Sequence, residues 1–114
     1  MADYEYRNVG GKEACGILRE RGGSPDFGIL DVRTPGEFRA ARIPGAVNAD
    51  IVSRNFEQQL DSLDRKKAYL VYCRTGSRSL HALPTLYRLG FEKIYHLEFG
   101  ILDYAKEKCP LERG

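Results

Sequence analysis

The stretch KAYLVYC, residues 67–73, decides the fold. Ala68 to Tyr72 form an unbroken apolar run, the pattern of a strand buried on both faces in a parallel sheet. A polar loop, RTGSRS at 74–79, follows at once. The overlapping stretch SRSLHALPTLYRLG, 77–90, then reads as a helix, with Leu83, Leu86 and Leu89 inward and Gly90 as its stop. Pro84 lies within it and removes one backbone donor, at a cost of about 3 kcal/mol if fully interior, so a kink or a short start is expected.

Working outward, FGILDV at 27–32 is a second short apolar run, bounded by Pro25 and by Thr34-Pro35-Gly36. YRNVG (6–10), GAVNA (45–49) and KIYHL (93–97) read as further strands. Between them, GGKEACGILRERGG (10–23) carries Ala14, Ile17 and Leu18 at helical spacing. PGEFRAAR (35–42) starts a short helix, with Pro35 in its first turn and Glu37 near its positive end. In SRNFEQQLDSLD (53–64), Phe56, Leu60 and Leu63 follow Ser53 as N-cap. ILDYAKEK (101–108) is a last helix. Strands alternating with helices imply an α/β fold with helices on both faces of a parallel sheet. With no repeats or linkers, residues 1–114 read as one domain, its motif-bearing core about 7–108.

Composition narrows the function. The 114 residues are 42% hydrophobic and 30% charged, with a net charge of only +2. That small excess argues against nucleic acid, which needs clustered Lys and Arg. Cys15, Cys73 and Cys109 are odd in number, widely spaced and free of CxxC, which fits neither a disulfide framework nor a zinc site. Free thiols suit a reducing compartment. The stretch 1–10 has no apolar core of a signal peptide, and no run approaches the ~20 residues of a membrane span. Cytoplasm, with no membrane partner and no metal, is the expectation.

Chemistry gathers at Cys73. In open α/β sheets, ligands bind outside the carboxyl ends of the strands, where this cysteine falls. The helix that follows brings unpaired amides and a dipole that favour a thiolate. Arg74 and Arg78 add charge, and such settings depress a thiol below its free value of about 8.5. Gly76 lets the loop curl so that successive amides form an anion-holding nest. A lone cysteine before a helix is commonly an inert buried thiol. Two arginines beside it are poor packing choices and good anion ligands.

The loop CRTGSRS, 73–79, resembles the active-site loop of rhodanese-like domains, the sulfurtransferases. LDVRTPGEFRAARIPGAVNAD, 30–50, is similar to the family's upstream signature, and EFGILDY, 98–104, to its closing segment. The resemblance implies a five-stranded parallel sheet and a catalytic cysteine after the fourth strand. It implies that Cys73 takes a sulfane sulfur from a donor such as thiosulfate and passes it to a thiol or cyanide, with a protein persulfide as another donor. The amides from Arg74 through Thr75, Gly76, Ser77 and Arg78 to Ser79 would cradle the persulfide. No cofactor is implied. Where the family usually has two glycines this chain has Phe99-Gly100, and the phenylalanine would narrow or roof the site. Arg42 replaces a frequent histidine, adding positive charge, and Tyr104 a tryptophan.

Asp31 and Arg33 fall at the same sheet edge as Cys73. They read as supports that brace the loop, ahead of direct contact with substrate, or as members of an ion pair with Arg42 or Glu37. Arg74 is the leading substrate-binding side chain, and Arg78 closes the loop or folds back onto it. Asn48 reads as structural. His81 and His96 are tempting general acids, but lone histidines read more readily as surface or packing residues, and a thiolate needs no strong base. Cys15 and Cys109 read as bystanders, Cys109 as an exposed, oxidisable thiol. Two rival functions stand beside sulfur transfer. One is a non-catalytic protein-binding module of the same fold. The other is a phosphatase or arsenate reductase, whose related loops hold five residues between Cys and Arg; here Arg74 to Ser77 are four.

Overall fold

The computed structural model describes residues 5–114; residues 1–4, part of the stretch read above as lacking a signal-peptide core, lie outside the described residues. The elements run β1 (Glu5–Val9), α1 (Gly11–Arg21), β2 (Phe27–Asp31), α2 (Pro35–Ala40), β3 (Ala41–Arg42) and β4 (Val47–Asn48), then α3 (Phe56–Gln59), β5 (Ala68–Tyr72), α4 (Ser77–Arg88), β6 (Lys93–Leu97), α5 (Gly100–Lys106) and β7 (Glu112–Arg113). Five strands form one parallel sheet in the order β1-β6-β5-β2-β4, which puts β5 at its centre.

Every residue of β5 is buried because both faces are covered. Alternate side chains go to opposite faces. Leu70 and Tyr72 join a core with Cys15, Ile101 and Tyr104 from the α1–α5 side. Tyr69 and Val71 join a second core with Phe56, Leu60, Leu83 and Leu86 from the α3–α4 side. Full burial of a Leu or Val side chain is worth about 1.5–3 kcal/mol, so this central strand anchors both layers. Cys73 continues the Tyr69-Val71 phase and therefore lies under α4.

Local chemistry accounts for the shorter elements. Thr34 caps α2 in a reciprocal box: Glu37 N–H donates to Thr34 Oγ1 at 3.3 Å, and Thr34 N–H donates to Glu37 Oε1 at 3.2 Å. Helix α3 is only four residues long, and Asn55, not Ser53, is its N-cap. Ser53 instead spends its hydroxyl in a turn with Asn55. Helix α4 runs through Pro84 without ending, and the proline is solvent-exposed, so water can serve the carbonyl it leaves unpaired.

Two expectations are overturned. Cys15 and Cys109 are not separate thiols; they form a disulfide with Cα atoms 6.2 Å apart, and Cys109 is buried. Among the described residues Cys73 alone is a free cysteine, so the inference from three free thiols to a reducing compartment loses its basis. Arg42 adds no free charge, because its guanidinium binds Glu112 Oε1 at 3.0 and 2.7 Å across the β3–β7 ribbon. Among the described residues, no helix is long and apolar enough to cross a membrane, and no group of His, Cys, Asp and Glu is arranged to hold a metal.

Candidate active site

Cys73 follows the last residue of β5 and is fully buried at the base of the 74–79 loop. Gly76 N–H donates to its Sγ at 3.1 Å, and Ser79 Oγ lies 3.4 Å from the same sulfur. Burial pushes the thiol up, but hydrogen bonds from the Ser79 side chain and from the amides of Ser79, Gly76 and Thr75 outweigh it, and the net shift is downward.

The loop holds this inward-facing set of amides because its carbonyls are engaged on the other side. Ile101 N–H donates to the Cys73 carbonyl at 3.0 Å and Leu102 N–H to the Arg74 carbonyl at 3.3 Å, so the first turn of α5 docks on the loop backbone. Two glycines permit the contact. Gly76 has φ +108°, and a Cβ there would fall 2.0 Å from the Glu98 carbonyl oxygen. Gly100 has φ +75°, and a Cβ there would fall 2.0 Å from the Arg74 carbonyl oxygen. Phe99, the N-cap of α5, stands 58% exposed beside this junction.

The two loop arginines part company. Arg78 turns away to Glu37 in a two-point ion pair. Arg74 is exposed and lines a cleft of about 310 Å³ with Arg33, Leu102 and Arg113. Thr75 and Ser77 are also exposed. A larger cavity of about 560 Å³, beside Cys15, Ile43 and Tyr104, contains no residue of the loop.

Asp31 and Arg33 pair with each other, not with Arg42 or Glu37. Arg33 Nη2 reaches Asp31 Oδ2 at 2.7 Å with both side chains buried, and the same nitrogen donates to the Ala41 carbonyl at 2.6 Å. Asn48 Nδ2 donates to the carbonyls of Asp31 and Arg33 at 3.0 and 2.9 Å, and Val32 N–H donates to the Tyr72 carbonyl at 3.0 Å. The pair thus stiffens the end of β2 next to the end of β5.

His81 is exposed on α4. His96 is 2% exposed and sits on β6 at a position in phase with Ile94, the α4 side. Its Nε2 lies 2.6 Å from Ser79 Oγ and its Nδ1 3.0 Å from Asn8 Oδ1. These partners are 17 and 88 residues away in the chain, which is why spacing gave no sign of them.

The model of the rhodanese-like domain matches residues 16–107. The chain belongs to the rhodanese-like domain family. Among curated relatives, a probable adenylyltransferase/sulfurtransferase MoeZ of Mycobacterium tuberculosis is 34% identical over 82 residues, covering 72% of this chain and 21% of that protein. A sulfurtransferase of Allochromatium vinosum is 27% identical over 86 residues, covering 75% of this chain and 78% of the relative. A tRNA uridine(34) hydroxylase of Pelagibacter ubique is 34% identical over 79 residues, covering 68% of this chain and 26% of that protein. The chain thus spans only about a fifth to a quarter of several relatives. A rhodanese-related protein from Thermoplasma volcanium superposes with TM-score 0.76 at 29% identity, over 96% of this chain and all of that one.

Proposed function

We propose that the protein is a thiosulfate sulfurtransferase of this family, carrying sulfane sulfur as a persulfide on Cys73, and that residues 1–114 act as one domain. The observation that supports this best is the set of backbone amides turned toward Cys73 Sγ, those of Thr75, Gly76 and Ser79, on a loop locked by α5. Its span of four residues between Cys73 and Arg78 suits one added sulfur atom better than a transferring phosphoryl group.

The reaction has two halves. The Cys73 thiolate attacks the outer sulfur of thiosulfate; an S–S bond forms on Cys73, the donor's S–S bond breaks, and sulfite leaves with the electron pair. The persulfide anion rests among the loop amides, prepositioned for negative charge. A thiolate or cyanide then attacks the outer sulfur, forms a persulfide or thiocyanate, and returns Cys73 as thiolate. Arg74 draws the anionic donor toward the loop.

Intact-mass measurement after thiosulfate treatment tests this reading. We expect a gain of one sulfur atom that cyanide removes and that Cys73→Ser abolishes. Absence of the adduct at every pH would point to a protein-binding module. Hydrolysis of an aryl phosphate without thiosulfate turnover would point to a phosphatase.

A further inference from the structure

A line of polar contacts leads from the buried sulfur to the outer strand of the sheet. Cys73 Sγ meets Ser79 Oγ at 3.4 Å, Ser79 Oγ meets His96 Nε2 at 2.6 Å, and His96 Nδ1 meets Asn8 Oδ1 at 3.0 Å. The line crosses four elements: the loop after β5, α4, β6 and β1. Asn8 and His96 are register partners in adjacent parallel strands, so the sheet itself sets their side chains side by side. The Tyr6 ring stacks on the imidazole at 6.5 Å, and its hydroxyl donates to Asn8 Oδ1 at 2.7 Å.

Counting hydrogens assigns the roles. Asn8 Oδ1 is an acceptor, so the His96 hydrogen sits on Nδ1 and the neutral ring offers a lone pair at Nε2. Ser79 has one hydroxyl hydrogen and three acceptors within reach: Cys73 Sγ, the Gly76 carbonyl at 3.1 Å and His96 Nε2. The Gly76 carbonyl already accepts the Leu80 amide at 3.0 Å. The shortest of the three contacts is to His96. With the hydroxyl hydrogen directed there, Ser79 Oγ turns a lone pair to the Cys73 thiol.

We propose that Ser79 and His96 form a proton relay for Cys73, in which His96 Nε2 takes up the thiol proton through the Ser79 hydroxyl and Asn8 holds the ring in register. The Cys73 S–H bond breaks as an O–H bond forms on Ser79, while the original Ser79 O–H bond breaks as an N–H bond forms at Nε2. Thiol plus imidazole becomes thiolate plus imidazolium, with no change in net charge. The hydroxyl then donates to the thiolate, and the imidazolium donates to the hydroxyl. Burial lowers the proton affinity of His96, while Glu98 and a hydrogen bond to the Gly76 backbone act in the opposite direction. The other groups in play are Glu98 beside His96, Tyr6 over its ring, and Arg78 with Asp31 and Glu37 on the Cys73 side. Ser79 touches the reacting sulfur; His96 and Asn8 are positioning residues that act through it.

The relay rests on the reading of Cys73 as nucleophile, but its test needs no sulfur donor. Iodoacetamide alkylation of Cys73 is followed from acid to alkaline pH in the full chain, in His96→Asn, in Ser79→Ala and in the double variant. Asparagine keeps a hydrogen-bonding group at 96 but takes up no proton. The wild type should titrate in two coupled steps, and His96→Asn in one, with its midpoint higher by about one pH unit, a tenfold loss of thiolate at low pH. In the Ser79→Ala background, His96→Asn should change nothing. An unaltered profile in His96→Asn, or an equal shift with and without Ser79, overturns the relay. Should these variants unfold, NMR titration of the His96 ring decides it. The midpoint should be lower in Cys73→Ser than in the wild type, and equal midpoints overturn the proposal. A protein that shows the relay but takes no sulfur from thiosulfate would lose the sulfurtransferase reading alone.

Discussion

Arg78 and Glu37 meet in a two-point ion pair, Nη1 to Oε1 at 2.6 Å and Nη2 to Oε2 at 2.9 Å, that ties the first turn of α4 to α2. Hydrogen bonding from Arg78, ahead of opposing burial and of further bonds from Thr34, holds the Glu37 carboxyl at about 2, below its ordinary 4.5. A depressed carboxyl stabilises the fold above its unfolded pKa and loses that contribution as pH falls through the folded one. Glu37→Gln keeps the capping-box acceptor and removes the charge. The variant should be less stable by on the order of 1 kcal/mol at neutral pH, with the gap closing between about pH 4.5 and 2. Urea midpoints across that range check it.

Arg74, unlike Arg78, is exposed at the cleft. For Arg74→Ala we expect KM for thiosulfate to rise about tenfold at low salt, with kcat little changed. The difference should shrink near 1 M salt, where screening acts within about 3 Å. An unchanged KM at low salt would remove Arg74 from donor attraction.

Asp31 and Arg33 form a buried pair, so removing one partner strands the other's charge. Arg33→Ala should cost about 3–5 kcal/mol in chemical denaturation. Replacing both residues together by apolar ones of similar volume should cost much less. Equal losses would mean that packing of the guanidinium, not charge, is what matters.

Gly100→Ala should be more damaging than an exposed helix substitution. The added Cβ meets backbone on both counts, 2.0 Å from the Arg74 carbonyl oxygen and 2.3 Å from its carbon, at a φ of +75°. A loss above about 1 kcal/mol, together with slower Cys73 alkylation, is expected. Thermal melts and alkylation rates check the two halves separately.

Much of this architecture was legible in the sequence because it is local. The apolar run of β5, the Pro35 start of α2 and the Gly90 stop of α4 each follow from neighbouring residues. Gly76 could be read as a curl in the loop, since its need is set within a few positions. What escaped depends on distant encounters. Cys15 and Cys109 lie 94 residues apart, and nothing near either one signals the other. Each strand of the β3–β7 ribbon is two residues long, too short for any periodicity. Ser53 looked like a helix cap, but its hydroxyl favoured a turn with Asn55. His96 looked like a packing residue because its two hydrogen-bonding partners come from α4 and β1.

The Cys15–Cys109 bond makes residues 15–109 of the polypeptide a covalent ring. A single protease cut in the turn-rich segment 50–55 would open that ring into a linear chain without releasing a fragment. Under non-reducing conditions the nicked species should run as one band; with reductant it should fall into two. The two pieces would each carry part of the sheet, β1, β2 and β4 on one and β5 and β6 on the other. A tether of this kind raises their effective concentration for each other, so a cut molecule has a route to re-form its sheet that an untethered pair of fragments lacks.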